Sequence, residues 1–393
     1  MSEPAPEAAP VPAGVHHHVV LERRGGTARV AHMLARLQRG RRGVSLSHEM
    51  DEPGGVDASR PESFPCPPDQ LASLAPPGAI MHVHATRDWP ALLAGFQAAP
   101  RPLVITAHDC SLITGGCAYP AFCPKHEAGC PDPCPRAYAD TKRIRAQKHA
   151  LVQAVRPVLV SPSAWLAGLL RREWPGLPVK VAPNGVDIPA QGPGNTQAGK
   201  LQARARLGVP PAARTALFLA HGGTQAAYKG GDRYQPILAS IASRVPGVLG
   251  IVAGGEEARM QGGMMFLPYL DDDLLGVVLS ASDVLVYPSL ADNHPLIVLE
   301  AMARGLPVAA YGAGGIPEQV RDGVTGLLVS VLDEDGLVAA ASALLGDPAL
   351  ARTMGENGLL LARKHFSAGR MAGDYDKIYA RMPIPSGQEW GPG

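Results

Sequence analysis

Short apolar runs, four or five residues long and rich in Val, Leu, Ile and Ala, recur along this 393-residue chain and alternate with stretches of helical periodicity. A parallel strand is covered on both faces, so it reads as an unbroken apolar run, and it reaches its neighbour through a helical crossover. The alternation therefore points to an α/β fold with doubly wound parallel sheets. Predicted strands in the first half are 17–21, 79–83, 103–106, 158–160 and 179–182, with helices between them at 28–37 and 164–173. In the second half they are 216–220, 249–253, 284–287, 308–310 and 326–329, with helices at 231–243, 272–280 and 295–304.

The two sets meet in a polar Gly/Pro stretch, which divides the chain into two Rossmann-like domains. Residues 1–14, rich in Pro and Ala, are expected to be a disordered leader. They lack the basic and apolar regions of a signal peptide. An N-terminal domain follows at 15–187, a linker at 188–200 and a C-terminal domain at 201–366. The helical end runs over 348–382; its last part, 367–382, is expected to return to the N-terminal domain, and 383–393 is a loose tail. Apolar residues make up 46% and charged residues 18%, enough for a large core and too little charge for wholesale disorder. Lys plus Arg (36) balances Asp plus Glu (35), which leaves no global electrostatic footprint for nucleic acid. Apolar runs stop short of the ~18 residues a membrane span needs, so the chain reads as cytoplasmic.

Glycines and prolines number 45 and 39, and many glycines fall just after predicted strands. Gly25-Gly26-Thr27 opens the first helix, Gly222-Gly223 follows 216–220, and Gly312–Gly315 (GAGG) follows 308–310. Bare backbone N–H groups at a helix start suit an anion, and three such loops together favour a phosphate-bearing ligand. None contains GxGxxG or GxxxxGK[ST], which argues against a dinucleotide fold or a P-loop kinase. Lys229 opens the helix after the Gly222-Gly223 loop and offers a point charge for a diphosphate. Asp292 and Glu300, eight apart, are placed in a loop and inside a helix. They suit two hydroxyl contacts along an extended polyol better than a close acid/base pair.

The segment 281–329 resembles the C-terminal signature of family-4 (group 1) retaining glycosyltransferases of the GT-B fold. It carries Pro288-Ser289, Asp292-x7-Glu300, Glu300-Ala-Met-Ala-Arg-Gly-Leu-Pro307-Val308, Gly314-Gly315-Ile-Pro-Glu318 and Asp322-Gly323-Val-Thr-Gly326. Pro183-Asn184-Gly185-Val186-Asp187 is similar to the family's domain-closing motif, and Gly25-Gly26-Thr-Ala-Arg29 to its N-terminal glycine loop. The resemblance implies two Rossmann-like domains facing across a cleft and a hexosyl- or glycosyltransferase building polysaccharide. Its donor would be a nucleotide sugar, UDP- or GDP-linked, its acceptor a glycan or lipid-linked molecule, and catalysis would need no cofactor. Glu300 would then hold the ribose, Asp292 the donor sugar, and Lys229 the diphosphate near Gly222, Gly223, Gly314 and Gly315, with Asn293 among the donor-binding residues. His108 matches a cleft-facing His on the acceptor side. Two positions depart from the family: Asp292 stands where Glu is usual, and the Arg about six residues before the Lys is absent, with Arg233 or a backbone nest as substitutes. A non-catalytic GT-B scaffold and a sugar-nucleotide epimerase are the alternatives.

Five of the six cysteines fall between Cys110 and Cys134. The run His108-Asp109…Thr114-Gly-Gly-Cys117, with Cys123, Cys130 and Cys134-Pro135, resembles a subset of the same family with a Cys-rich loop, here 108–135. The spacing admits a structural Zn²⁺ on Cys117, Cys123, Cys130 and Cys134, free thiols in a packed loop, or disulfides. His16-His17-His18 reads as a strand with alternating faces, and His82 and His84 as strand-end packing or acceptor contacts. Arginines in 23–29 and 36–42 form a solvated face or, on the sharper reading, a peripheral contact with the anionic inner membrane surface.

Overall fold

The computed structural model describes residues 14–52, 62–74, 76–120, 123–189, 196–219, 227–255 and 257–382. The chain divides into two compact units, one made of the residues up to Pro183 together with those from Ala368 onward, the other of Asn184–Ser367.

The first unit holds a seven-stranded sheet. Its strands are β1 (Gly14–Leu21), β2 (Gly43–Met50), β3 (Ser63–Pro65), β4 (Ile80–Val83), β5 (Leu103–Thr106), β6 (Val158–Ser161) and β7 (Val179–Val181), in the order β3-β2-β1-β4-β5-β6-β7. Every pairing is parallel. The second unit repeats the plan with β8 (Arg214–Leu219), β9 (Val248–Gly255), β10 (Arg259–Gln261), β11 (Met264–Pro268), β12 (Val284–Tyr287), β13 (Val308–Tyr311) and β14 (Gly326–Val329). Their order is β10-β11-β9-β8-β12-β13-β14, and only the edge strand β10 runs antiparallel. The chain is thus α/β with two doubly wound, Rossmann-like sheets. Central strands such as β5 (LVIT) and β12 (VLVY) are buried at every residue, as two-sided coverage requires.

Polar capping starts many of the helices. Ser163 accepts from the Leu166 N–H (3.1 Å) ahead of Ala164–Glu173, and Asp271 from the Leu274 N–H (2.7 Å) ahead of Asp272–Ala281. Two sequence boundaries need correction. The leader expected over 1–14 gives up Gly14, which opens β1; the rest of it, and the tail at 383–393, lie outside the described residues. The linker expected over 188–200 contains the first turn of the helix Gln197–Leu207, capped by Thr196. That helix is held by Asp283, which accepts from Arg204 (2.8 Å), from the Thr215 N–H (2.7 Å) and from Lys200. The helical end is two helices, Pro348–His365 and Ala368–Tyr379, and the second belongs to the first unit.

One face of the first sheet departs from the apolar rule. His17, His82 and Thr106 stand on adjacent central strands and are wholly buried. Their cover comes from Gln38, in the helix Gly25–Gln38, and from Tyr375 and Tyr379, in Ala368–Tyr379. The Tyr379 hydroxyl lies 2.6 Å from His82 Nδ1, and His82 Nε2 is 2.7 Å from Thr106 Oγ1, which is 2.9 Å from the Tyr375 hydroxyl. His16 and His18 point to the opposite face and bond to Ser45 and Ser47 of β2 (2.8 Å each). The alternation expected for His16–His18 is thus a division between two polar layers.

Candidate functional site

The second unit gathers the densest set of predicted residues around the loop that leaves β12. Tyr287, the last residue of β12, donates its hydroxyl to Asp292 Oδ2 (2.7 Å). The Asn293 N–H bonds to Asp292 Oδ1 (2.9 Å), and Lys229 Nζ lies 3.5 Å from Oδ2. Asp292 is only 6% exposed, so its charge depends on these partners. Burial, the largest single influence, would depress the Lys229 ammonium, but the Asp292 carboxylate and the Tyr228 phenol together outweigh it and raise the pKa above the usual lysine value. Burial first, then the same carboxylate, pushes the Tyr287 phenol well above 10, so Tyr287 acts as a neutral donor.

Two glycines allow the backbone to close on this loop. Gly230 has φ +73°, and a Cβ there would come 2.3 Å from the Pro288 carbonyl oxygen. The turn carrying Lys229 can therefore press against the loop, joined also by the Leu290 N–H to the Tyr228 carbonyl (2.9 Å). Gly314 has φ +55°, and its Cβ would meet the Asp292 carbonyl oxygen at 2.0 Å, while the Gly315 N–H bonds to that same oxygen (3.1 Å). The GAGG turn after β13 is thus laid directly on the Asp292 backbone.

Glu300 sits within the wholly buried helix Leu296–Met302 that this loop enters, and is 5% exposed. The structure thus brings together Lys229, Asp292, Asn293, Gly314 and Gly315, with Glu300 on the element that follows. Gly222 and Gly223 lie outside the described residues. Arg233 is committed to Glu334 (3.1 Å) rather than to this site. Sequence reasoning missed Tyr287, which looks like one more apolar strand residue. It also missed His294 and Gln319: the Gln319 amide donates to the Pro295 carbonyl (3.0 Å) and lies 3.0 Å from His294 Nδ1. Asn184, in the Pro183–Asp187 motif, donates to the His294 carbonyl (2.8 Å), tying that motif to the same loop.

The remaining predicted residues belong to the first unit. Gly25 and Gly26 begin the helix Gly25–Gln38, and the preceding Arg23 and Arg24 N–H groups bond to the Glu52 carboxylate (2.6 and 2.8 Å). His108 follows β5, half-buried, with Nε2 at 3.2 Å from His84 Nδ1. Several arginines of 23–42 are paired: Arg41 and Arg42 with Asp376 (2.8 and 2.9 Å) and Arg23 with Glu22 (2.9 Å). No helix among the described residues is long and apolar enough to cross a membrane.

All six cysteines are free thiols, which removes the disulfide reading. Cys110, Cys117 and Cys130 are buried, and burial raises the Cys117 thiol. The four cysteines proposed for zinc do not gather: among the described residues the group with three or more potential ligand atoms within 4.8 Å of one another is His17, His82 and His84. The loop is instead braced by Lys148, which is 2% exposed and donates to the Ser111 carbonyl (2.5 Å).

Comparison with known proteins agrees with this layout. Residues 251–360, from β9 to the helix Pro348–His365, match the family described as Glycosyl transferases group 1. The D-inositol 3-phosphate glycosyltransferase of Mycobacterium avium is 34% identical over 192 residues, covering 44% of this chain and 42% of that protein. Its Mycobacterium marinum counterpart is 33% identical over 206 residues, 47% and 40% of the two chains. The match thus spans less than half the length of these relatives. Among solved structures, Anabaena HepE in complex with UDP-glucose aligns with TM-score 0.71 at 17% identity, covering 93% of this chain and 98% of that one. Sucrose-phosphate synthase of Thermosynechococcus elongatus gives 0.69 at 20% identity over 93% and 98%. WaaG, a glycosyltransferase involved in lipopolysaccharide biosynthesis, gives 0.66 at 17% identity over 95% and 100%. The matched segment, residues 251–360, holds Asp292, Glu300 and the GAGG turn, and it is this part of the chain that is similar to the group 1 glycosyltransferases.

Proposed function

We propose that this chain transfers a glycosyl group, with retention, from a UDP- or GDP-sugar to a hydroxyl of a glycan or lipid-linked acceptor. The observation that carries the reading is the Lys229–Asp292 pair, set beneath a glycine turn built on the Asp292 carbonyl. A diphosphate leaving group needs a fixed positive charge and backbone N–H donors, and Lys229 beside Gly314–Gly315 offers both. Asp292 orients Lys229 and, with Asn293, contacts the donor sugar; Glu300 holds the ribose. In the transfer the anomeric C–O bond to phosphate breaks and the acceptor oxygen forms the new C–O bond on the same face. The departing phosphate takes the acceptor's proton. His108 contacts a substrate hydroxyl. That HepE binds UDP and UDP-glucose on the same fold supports a nucleotide-sugar donor.

The test is nucleoside-diphosphate release from a panel of UDP-, GDP- and ADP-sugars, with the anomeric configuration of the product read by NMR. Release with one donor and a retained anomer is expected. If no donor binds and none is cleaved, the catalytic reading fails in favour of a scaffold; interconversion of the free sugar nucleotide without transfer would indicate an epimerase. A further expectation concerns Gly314→Ala. Its Cβ would fall on the Asp292 carbonyl, so the turn must move, at a cost of about 2–4 kcal/mol in stability. Calorimetry should show a weaker nucleoside diphosphate affinity by at least about tenfold, and unchanged affinity would separate the turn from the donor.

A further inference from the structure

The buried polar face of the first sheet carries a hydrogen-bond chain whose polarity is fixed from one end. Asp376 is a carboxylate held by Arg41 and Arg42 and can only accept. The Gln38 amide nitrogen faces it at 3.1 Å, so the Gln38 amide oxygen is turned to His17 Nε2, 3.2 Å away. His17 Nε2 must therefore carry the proton, and His17 Nδ1 keeps the lone pair. His84 Nε2, 3.0 Å from that lone pair, must donate to it, which leaves His84 Nδ1 as an acceptor. His108 Nε2, 3.2 Å from His84 Nδ1, must in turn carry a proton. Each neutral imidazole has one N–H, so one choice at Gln38 propagates through all three rings. Burial holds His17, His84 and His108 in the neutral form. The opposite tautomer of His108 would set two lone pairs against each other at 3.2 Å.

The neighbouring ring reinforces the chain without joining it. His82 lies 3.9 Å from His84 between ring centroids, and both its nitrogens are committed, to Tyr379 and Thr106. The potential ligand atoms of His17, His82 and His84 lie within 4.8 Å of one another, but a cation there would need the lone pair to which His84 donates.

We propose that Gln38, His17 and His84 are positioning residues that hold His108 as its Nε2–H tautomer, so that Nδ1 is a standing acceptor for a substrate hydroxyl. His108 Nδ1 has no hydrogen-bond partner among the described residues, and the ring is half-buried, so this nitrogen is the open end of the chain. The hydroxyl contact rests on the glycosyltransferase reading above; the tautomer does not.

Long-range ¹H–¹⁵N correlation spectra of the ¹⁵N-histidine-labelled protein near pH 7.5 read the tautomer directly, with His108 assigned by loss of its signals in His108→Ala. A protonated Nε2 and a pyridine-type Nδ1 are expected. Gln38→Leu should give His108 as a mixture of tautomers and lower kcat about tenfold with donor KM nearly constant. Gln38→Glu, whose carboxyl in its protonated form donates to Asp376 and still presents an acceptor oxygen to His17, should restore the single tautomer and most of the rate. A predominantly Nδ1–H or exchange-averaged His108 in the native protein would overturn the proposal, as would an unchanged spectrum in Gln38→Leu. Zinc titration producing metal-type shifts on His17, His82 and His84 at stoichiometric amounts would overturn it in favour of a metal site. If the tautomer is as stated but His108→Ala transfers at the native rate, the substrate contact falls and the tautomer assignment stands.

Discussion

Replacing Lys229 with methionine will lower kcat/KM at least about 100-fold, the effect typical of losing one positioned charge-stabilising donor. Methionine keeps the length of the side chain and removes only the ammonium. The expected cost to the fold is separate and smaller. Asp292 keeps the Tyr287 hydroxyl and the Asn293 N–H but loses its countercharge at 3.5 Å, and the carboxylate is 9% exposed. Removing one partner of a buried pair is destabilising by several kcal/mol; with the Lys229 side chain 21% exposed, about 1–2 kcal/mol is expected here. The double variant Lys229→Met/Asp292→Asn takes away both charges and should recover most of the lost melting temperature while transfer stays about 100-fold down. A double variant that regains its rate along with its stability would show that Lys229 serves the fold and not the diphosphate.

The reason Lys229, Asp292, Asn293 and the GAGG turn were legible in the sequence is that their chemistry is local to motifs of fixed spacing. The central strands were legible for a related reason: 103–106 and 284–287 coincide with β5 and β12, because a strand covered on both faces is held to apolar residues. Where the sequence misleads, a long-range partner is responsible. β2 (GVSLSHEM) shows no apolar run, since its Ser45 and Ser47 are there to meet His16 and His18 across the sheet. The helix Thr141–Val155 buries only Thr141, Lys148 and Val152 and shows almost no apolar stripe. β10 and β11 form an edge pair whose first member is fully exposed. His17, His84 and His108 are 67 and 24 residues apart, and only the order β1-β4-β5 makes them neighbours. Taken as packing residues from sequence, His82 and His84 do pack, yet the pattern of who donates to whom exists only in three dimensions.

Acidification will destabilise the first unit well before its carboxylates titrate. His16, His17, His82 and His84 are each at most 1% exposed, and burial, the largest influence on all four, favours their neutral form. His17 is lowered to about 4 and His16 to about 3, with His82 and His84 well below the ordinary value. An unfolded histidine titrates near 6.5, so as pH falls through 6.5 the unfolded chain takes up protons that the folded chain refuses. Their neutral burial is therefore without penalty above pH 6.5, and stability declines from there down to the folded pKa values. From pH 6.5 to 5.5 each group removes about 1 kcal/mol, or about 4 kcal/mol for the four together. That is a large part of the ~5–15 kcal/mol typical of a domain. Trp89, Trp165 and Trp174 all lie in this unit, so urea melts followed by tryptophan fluorescence will read it. The midpoint should drop steeply between pH 6.5 and 5.5, and a flat profile across that interval would mean that these imidazoles are not held neutral.

The assignment of Ala368–Tyr379 to the first unit has a consequence for how the protein comes into being. On the ribosome the sheet β1–β7 emerges first, but Tyr375, Asp376 and Tyr379, which satisfy His82 and Gln38, are among the last described residues to be made. Asn184–Ser367 is contiguous and can complete its own core while synthesis continues. The half that is translated first is therefore the half that finishes last. During that delay water must stand in for Tyr375, Asp376 and Tyr379 on its polar inner face, and truncations near the C-terminus should injure the first unit and spare the second.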